Sequence, residues 1–261
     1  MQSLYTSAST MAQLQKQLDT TGHNLANANT NGYKRRDSQF NELLVRNLNN
    51  QPAGLTTGPL TTPAGLRLGV GGYVANEATR FATGTFQNTG RKLDAALSNP
   101  HHFFGVIDAD GVTKFTRDGN FESSPQANGQ VLLTDDAGRS VINQANEPIT
   151  FPDNATSIEL NKDGNITGVL NGERRVLARI GVADIPNHGE LTDVGGGLFT
   201  ATGQYQNTTT VNPLTVGTLE TSNVDMATEM TNLTQIQRAY QFNSKALTTS
   251  DQMMGIVTSL K

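Results

Sequence analysis

An apolar residue recurs every seventh position at both ends of this chain, and no other feature restricts its fold as much. Near the N-terminus Leu4, Met11, Leu18 and Leu25 step by seven; near the C-terminus Met226, Leu233, Tyr240, Leu247 and Met254 do the same, with Met230, Ile236, Ala239, Ala246 and Val257 beside them. A seven-residue step keeps side chains on one side of a helix, so about the first thirty and the last forty residues are expected to be amphipathic helices. No Pro occurs before Pro52. A single stripe of this kind is ordinarily a core face. Two, at opposite termini, are most economically buried against each other or against neighbouring subunits, because an isolated helix of this length is marginal in water.

Between the ends the texture changes to short apolar alternations punctuated by turn dipeptides, the pattern of antiparallel strands. In Ser157 to Ala183, Ile158 and Leu160 alternate, Asp163-Gly164 turns, Ile166 to Leu170 returns, Asn171-Gly172 turns again, and Val176, Ala178, Ile180 and Val182 alternate. Asn-Gly suits a two-residue hairpin because a type I′ turn needs positive φ at both central positions. A three-stranded meander is predicted here, and Asp110-Gly111, Asp118-Gly119, Asn128-Gly129 and Gly138 mark further strands through Phe103 to Ile142. In the segment from Arg36 to Arg67, Phe40, Leu43, Leu44 and Leu48 have helical spacing, whereas Gly54 to Gly65, with its Pro and Thr, reads as extended. The expected fold class is therefore α+β: a mainly antiparallel β region flanked by long N- and C-terminal helices that pair in a coiled-coil-like core.

The remaining features exclude more than they suggest. With 261 residues the chain is long enough to bury a sizeable core, and a net charge of −4 gives no basic footprint for nucleic acid. No stretch reaches the roughly 18 apolar residues of a membrane span, and Met1 to Tyr5 lacks the basic and apolar regions of a cleaved secretory signal. The chain contains no Cys, so disulfides and thiolate chemistry are absent. Of His23, His101, His102 and His188, only the adjacent pair resembles a ligand cluster, and neighbours on a strand point to opposite faces. Glu159, Asn161, Asp163 and Gly164 begin like a calcium loop, but Leu170 stands where the bidentate Glu belongs. Gly69-Val70-Gly71-Gly72 is no nucleotide fingerprint. Glu42, Asp94 and Asp108 are dispersed carboxylates with nothing to group them into an acid and a base. No catalytic, cofactor or metal residue is assigned.

The motifs at the two ends identify a family. Asn24-Leu25-Ala26-Asn27-Ala28-Asn29-Thr30-Asn31-Gly32-Tyr33-Lys34-Arg35 resembles the N-N-[IL]-A-N-x-N-T-x-G-[YF]-K-R signature of bacterial flagellar rod and hook proteins, with His23 in place of the first Asn. Leu219-Glu220-Thr221-Ser222-Asn223-Val224-Asp225, then Gln237-Arg238-Ala239-Tyr240 and Asn243-Ser244-Lys245-Ala246, resemble the family's closing signature. In the middle, Leu93 to Leu97 resembles L-D-x-A-I, Phe103 to Val106 G-F-F-x-V, and Phe115 to Phe121 Y-T-R-x-G-x-F. Asn99-Pro100-His101-His102 replaces a Gly-rich turn, and Thr83 stands for the Gln of F-x-Q-G. Length and the segment Arg36 to Arg67 resemble the distal-rod type, including its Bacillus form.

The resemblance implies a structural subunit that polymerises into a helical tube and transmits torque to the hook. Its implied partners are other copies of itself, neighbouring rod proteins, the hook protein and the flagellar type III export apparatus, which would carry it to the basal body without a cleaved signal. Residues 1–35 and 219–261 would form the assembly core, 36–67 a connecting segment specific to rod-type subunits, and 68–218 an outer β region. The assembly positions are Leu4, Met11, Leu18, Leu25, Met226, Leu233, Ile236, Tyr240, Leu247 and Met254. The motif positions are Asn24, Ala26, Asn27, Asn29, Thr30, Gly32, Tyr33, Lys34, Ser222, Asn223, Gln237, Arg238, Asn243 and Ser244. Asn27 to Gly32 also reads as an ordinary helix cap and turn, and Gln237, Arg238 and Asn243 as a solvated face. The alternatives are a hook or proximal-rod component, or an envelope peptidoglycan hydrolase.

Overall fold

The computed structural model describes residues 2–42, 45–48, 66–69, 72–108, 110–127, 129–203, 205–207 and 213–259. It is mostly antiparallel β with one helix near each end of the chain, α1 at Gln2–Ala26 and α2 at Met226–Ser259. The contacts divide it into two units. One comprises residues 1–25, 36–78 and 226–261; the other comprises 26–35 and 79–225.

In the first unit, α1 runs for 25 residues and α2 for 34. On α1 the heptad residues Met11, Leu18 and Leu25 are half-buried, whereas the buried positions are polar: Thr20, Thr21 and Asn24. Thr20 explains how a hydroxyl is accommodated there, because its Oγ1 lies 3.0 Å from the Lys16 carbonyl and 3.2 Å from Glu77 Oε1. The side chain of Leu4 lies outside those described. On α2 Ile236 is buried and Leu233, Tyr240 and Leu247 are half-buried, while Met226 and Met254 at the ends of the stripe are exposed.

The same unit corrects the helical reading of the segment after Arg36. Strand β1 is Arg36–Glu42, β2 is Val45–Leu48, β3 is Leu66–Gly69 and β4 is Gly72–Thr79. β1 pairs with β4, and β2 pairs antiparallel with β3 from Val45↔Gly69 to Leu48↔Leu66. The spacing of Phe40 and Leu48 is compatible with a helix, but each strand has a partner far along the chain, and tertiary pairing overrides a weak local periodicity. Leu43, Leu44 and the proposed extended stretch Gly54 to Gly65 lie outside the described residues.

The second unit is built on one large antiparallel sheet. Its strands are β7 (His102–Ile107), β8 (Thr113–Thr116), β9 (Phe121–Pro125), β10 (Gln130–Asp135), β11 (Ser140–Val141), β12 (Thr150–Pro152), β16 (Val182–Asp184), β17 (Leu191–Gly195), β18 (Leu198–Ala201) and β19 (Gln206–Asn207). They run β12-β10-β11-β7-β8-β18-β17, with β9 on β10 and β16 bridging β7 and β19. Strands β13 (Thr156–Leu160), β14 (Asn165–Leu170) and β15 (Glu173–Arg179) form the separate meander read from the sequence. Asn171 at φ 54° and Gly172 at φ 86° give its second turn the two left-handed residues that such a hairpin requires. The meander ends at Arg179, however, and Val182 belongs to β16, which crosses to pair with Phe104 on β7.

Strand β7 organises the interior. Successive side chains on a strand point to opposite faces, so the adjacent Phe103 and Phe104 enter two different cores. Phe104 packs with Leu97, Val106, Phe121, Leu133 and Ile166; Phe103 packs with Phe81, Phe115, Ile185 and Phe199. Phe104 meets Phe121 edge-on at 5.0 Å, and Phe103 meets Phe81 edge-on at 5.7 Å. Two short ribbons complete the unit: β5 (Phe86–Asn88) pairs with β21 (Thr218–Glu220), and β6 (Ala95–Leu97) pairs with β20 (Leu214–Val216). Through them the residues just before α2 are woven into the β-rich unit.

Candidate functional site

The motif segments from both ends and the middle of the chain converge inside the β-rich unit. After α1 stops, the Thr30 amide bonds to the Asn27 carbonyl at 3.1 Å, and Gly32 adopts φ +67°. A Cβ at Gly32 would sit 2.5 Å from the Asp118 amide nitrogen and 2.6 Å from the Arg117 carbonyl carbon, so neither the conformation nor the space admits a side chain. The Gly32 amide donates to the Glu220 carbonyl at 2.7 Å. Tyr33 and Lys34 then turn inward and are buried.

Lys34 meets two charged residues that the spacing of the motifs does not advertise. Its Nζ lies 2.5 Å from Glu220 Oε1 and donates to the Ala82 carbonyl at 2.9 Å. Arg117 reaches the other carboxylate oxygen, with Nε at 2.9 Å and Nη2 at 2.6 Å from Glu220 Oε2. Its Nη1 donates to the carbonyls of Asn99 at 2.6 Å and His102 at 2.7 Å, and the guanidinium carbon stands 5.8 Å from the Phe103 ring centre. The Gly84 amide adds a fourth donor to the carboxylate, 2.9 Å from Oε1. None of the three charged side chains has solvent exposure. Burial lowers the pKa of both Lys34 and Arg117, opposed in each case by the Glu220 charge.

Two motif asparagines act as brackets on crossing backbone. In the β-rich unit Asn223 Oδ1 accepts from the Arg35 amide at 2.7 Å, while its Nδ2 donates to the carbonyls of Arg80 at 2.8 Å and Ala82 at 2.9 Å. In the helical unit Asn24 Nδ2 donates to the Arg36 carbonyl at 2.8 Å and its Oδ1 accepts from the Arg36 amide at 2.9 Å. A side-chain amide satisfies a main-chain donor and acceptor together, which neither Asp nor Leu could do. Ser222 is buried and its Oγ accepts from the Val224 amide at 3.3 Å.

The other motif positions lie elsewhere. Thr30 Oγ1 donates to Asn27 Oδ1 at 3.2 Å within the turn, Ala26 and Asn29 are exposed, Gln237 and Arg238 are exposed on α2, and Asn243 and Ser244 are half-buried there. Arg117 and Glu220 are the residues that sequence reasoning passed over. Their one visible signal is position, since each is a charged residue inside a motif otherwise rich in turn formers.

The dispersed polar residues have local partners. Asp94 Oδ2 accepts from Thr89 Oγ1 at 2.6 Å and Asp94 Oδ1 is 3.6 Å from Arg91; Asp108 is 2.5 Å from Lys114. His101 and His102 diverge as strand neighbours do. His101 stacks on His188, with Nδ1 3.2 Å from His188 Nε2, whereas His102 is buried at the start of β7 and burial lowers its pKa. Among the described residues no group of three or more His, Asp or Glu side chains is placed to hold a metal ion, and no helix is long and apolar enough to cross a membrane.

Comparison with known proteins agrees with this convergence of motifs. Residues 4–34 match the family described as flagella basal body rod protein, 99–168 the flagellar hook protein FlgE/F/G D1 domain, and 215–260 the flagellar basal body rod FlgEFG protein C-terminal family. The chain belongs to the flagellar basal-body rod and hook protein family, and within it to the distal-rod, FlgG type. It is 32% identical to the flagellar hook-basal body complex protein FlhP of Bacillus subtilis over 271 residues, covering all of both chains. It is 33% identical to the flagellar basal-body rod protein FlgG of Caulobacter vibrioides over 272 residues, again all of both, and 32% to that of Borreliella burgdorferi over 272 residues, covering 100% of this chain and 99% of the relative. Its role is accordingly that of a structural subunit of the distal rod, and neither a hook nor a hydrolase reading is favoured.

Proposed function

We propose that the protein polymerises with itself into the tubular distal rod of the bacterial flagellum, with α1 and α2 paired in a coiled-coil-like assembly core and the β-rich unit outside it. The observation that carries this reading is the apolar surface of α2. Beyond the half-buried side bearing Leu233, Tyr240 and Leu247, Phe242 is 75% exposed, Met253 57% and Ile256 60%. Met253 and Ile256 follow Phe242 by roughly three and four helical turns, so they share a face roughly opposite the first. A helix apolar on two sides needs a second partner. Contacts that are heterologous and do not close generate an open helical filament.

In that filament the polar positions Gln237, Arg238 and Asn243 select one stacking register over others, as polar residues do at a coiled-coil seam. Residues 36–67 act as a brace between neighbouring subunits that keeps the rod straight. Torque passes through many parallel contacts and needs no catalytic group or cofactor. Export proceeds through the flagellar type III apparatus, and the rod abuts other rod proteins on one side and the hook protein on the other. Gold labelling of an epitope-tagged chain in isolated basal bodies tests the assignment. Label is expected on the rod segment next to the hook; label confined to the hook or to the proximal rod would overturn it.

A further inference from the structure

The ion cluster in the β-rich unit is unusual in three respects that together imply an order of events. It is wholly buried, it holds two cations for one anion, and its members come from three distant segments, with Glu220 separated from Lys34 by 186 residues and from Arg117 by 103. Glu220 is also the last of the three along the chain. We infer that Lys34, Arg117 and Glu220 form an ion lock that holds the β-rich unit open until the Glu220 carboxylate arrives to close it.

Each cation without the anion faces a site that water cannot reach. Before Glu220 docks, folding of the unit would bring the Lys34 ammonium and the Arg117 guanidinium into one dry site. Among the described residues, the carbonyls of Ala82, Asn99, His102 and, at 3.4 Å, Leu97 and the face of the Phe103 ring are then what they meet. Carbonyl dipoles offset part of the desolvation of one cation, but two like charges without a counterion are among the most costly arrangements a protein interior can hold. The Glu220 carboxylate removes that penalty with one oxygen for each cation. Its main chain contributes at the same step, because the Gly32 amide bonds to the Glu220 carbonyl and Glu220 pairs with Phe86 across β21 and β5. A chain emerging N-terminus first thus carries both cations long before their anion. The lock does not depend on the rod assignment, although an open chain until late emergence suits delivery through a narrow channel.

Glu220→Gln in the full chain keeps the shape of the side chain, deletes the charge and leaves one acceptor oxygen where there were two. Proteolytic susceptibility of the β-rich unit, read from cleavage rates within residues 79–216, should rise by roughly a hundredfold or more. Lys34→Met alone should have a smaller effect. The decisive variant is Lys34→Met/Glu220→Gln: with one uncompensated cation removed, cleavage should slow by about tenfold or more relative to Glu220→Gln, a gain that simple loss of contacts cannot produce. Cleavage of Glu220→Gln within about threefold of the parent would overturn the lock. So would a double variant no better protected than Glu220→Gln, including the case in which both are fully unfolded.

Discussion

Asp118, next to the buried Arg117, shows how the turn that receives the N-terminal motif is tuned. Burial pushes its carboxyl up to about 7 from an ordinary 3.8, and the neighbouring charges of Asp136 and Asp135 add to the effect. Between those two values the folded protein binds the proton more tightly than the unfolded chain. The stabilisation from the neutral acid is therefore complete below 3.8 and is lost as the pH rises through about 7. Asp118→Asn retains an oxygen to accept the Asn120 amide, now at 3.1 Å from Oδ1. It should stabilise the protein by about 1–2 kcal/mol at about pH 8 and by almost nothing at about pH 4, measured by urea unfolding. Parallel pH profiles for parent and variant would refute the shift. The comparison must be made at each pH, because His102 and His188, both lowered chiefly by burial, act oppositely and withdraw stability as the pH falls below 6.5. None of this was legible in the sequence. Asp118 there is simply half of an Asp-Gly turn, and Lys34 an ordinary basic residue, because burial of a charge depends on segments that meet only in three dimensions.

Legibility improves for elements whose pairing is local. The turn at Asn171-Gly172 joins strands that lie side by side, so a dipeptide sufficed to find it. Helices α1 and α2 announced themselves by their period, although the period did not foretell that Thr20, Thr21 and Asn24 would be the buried residues of α1. The strand β2 was misread because its partner β3 follows only after residues 49–65, beyond the reach of any local pattern. That intervening stretch is where the proposed brace can be tested. Deleting Pro52 to Pro63 leaves both strands and the motif Gly32-Tyr33-Lys34-Arg35 in place. Export of the shortened subunit should persist while rods become curved or short under electron microscopy, and straight rods of normal length would exclude a bracing role.

For the whole molecule, the two units offer a way to separate assembly from folding. Leu247 lies on the half-buried side of α2, which belongs to the helical unit, while the β-rich unit comprises residues 26–35 and 79–225 and has its own buried core. An Asp there places a charge where the filament would bury an apolar contact, at a cost of several kcal/mol per subunit interface, but little is lost where the side is only partly covered. Leu247→Asp should therefore be exported, keep the thermal midpoint of the β-rich unit within about 2 °C, and fail to join a rod, leaving cells without filaments. A swimming mutant, or joint melting of both units, would show that the division is wrong. The double use of β7 bears on what such a subunit transmits. With Phe103 keyed into one core and Phe104 into the other, the strand cannot roll about its own axis without lifting an aromatic ring out of a close-packed socket on each side. It is splined like a shaft, and a twist applied to one face of the sheet is delivered to the other with no slack between.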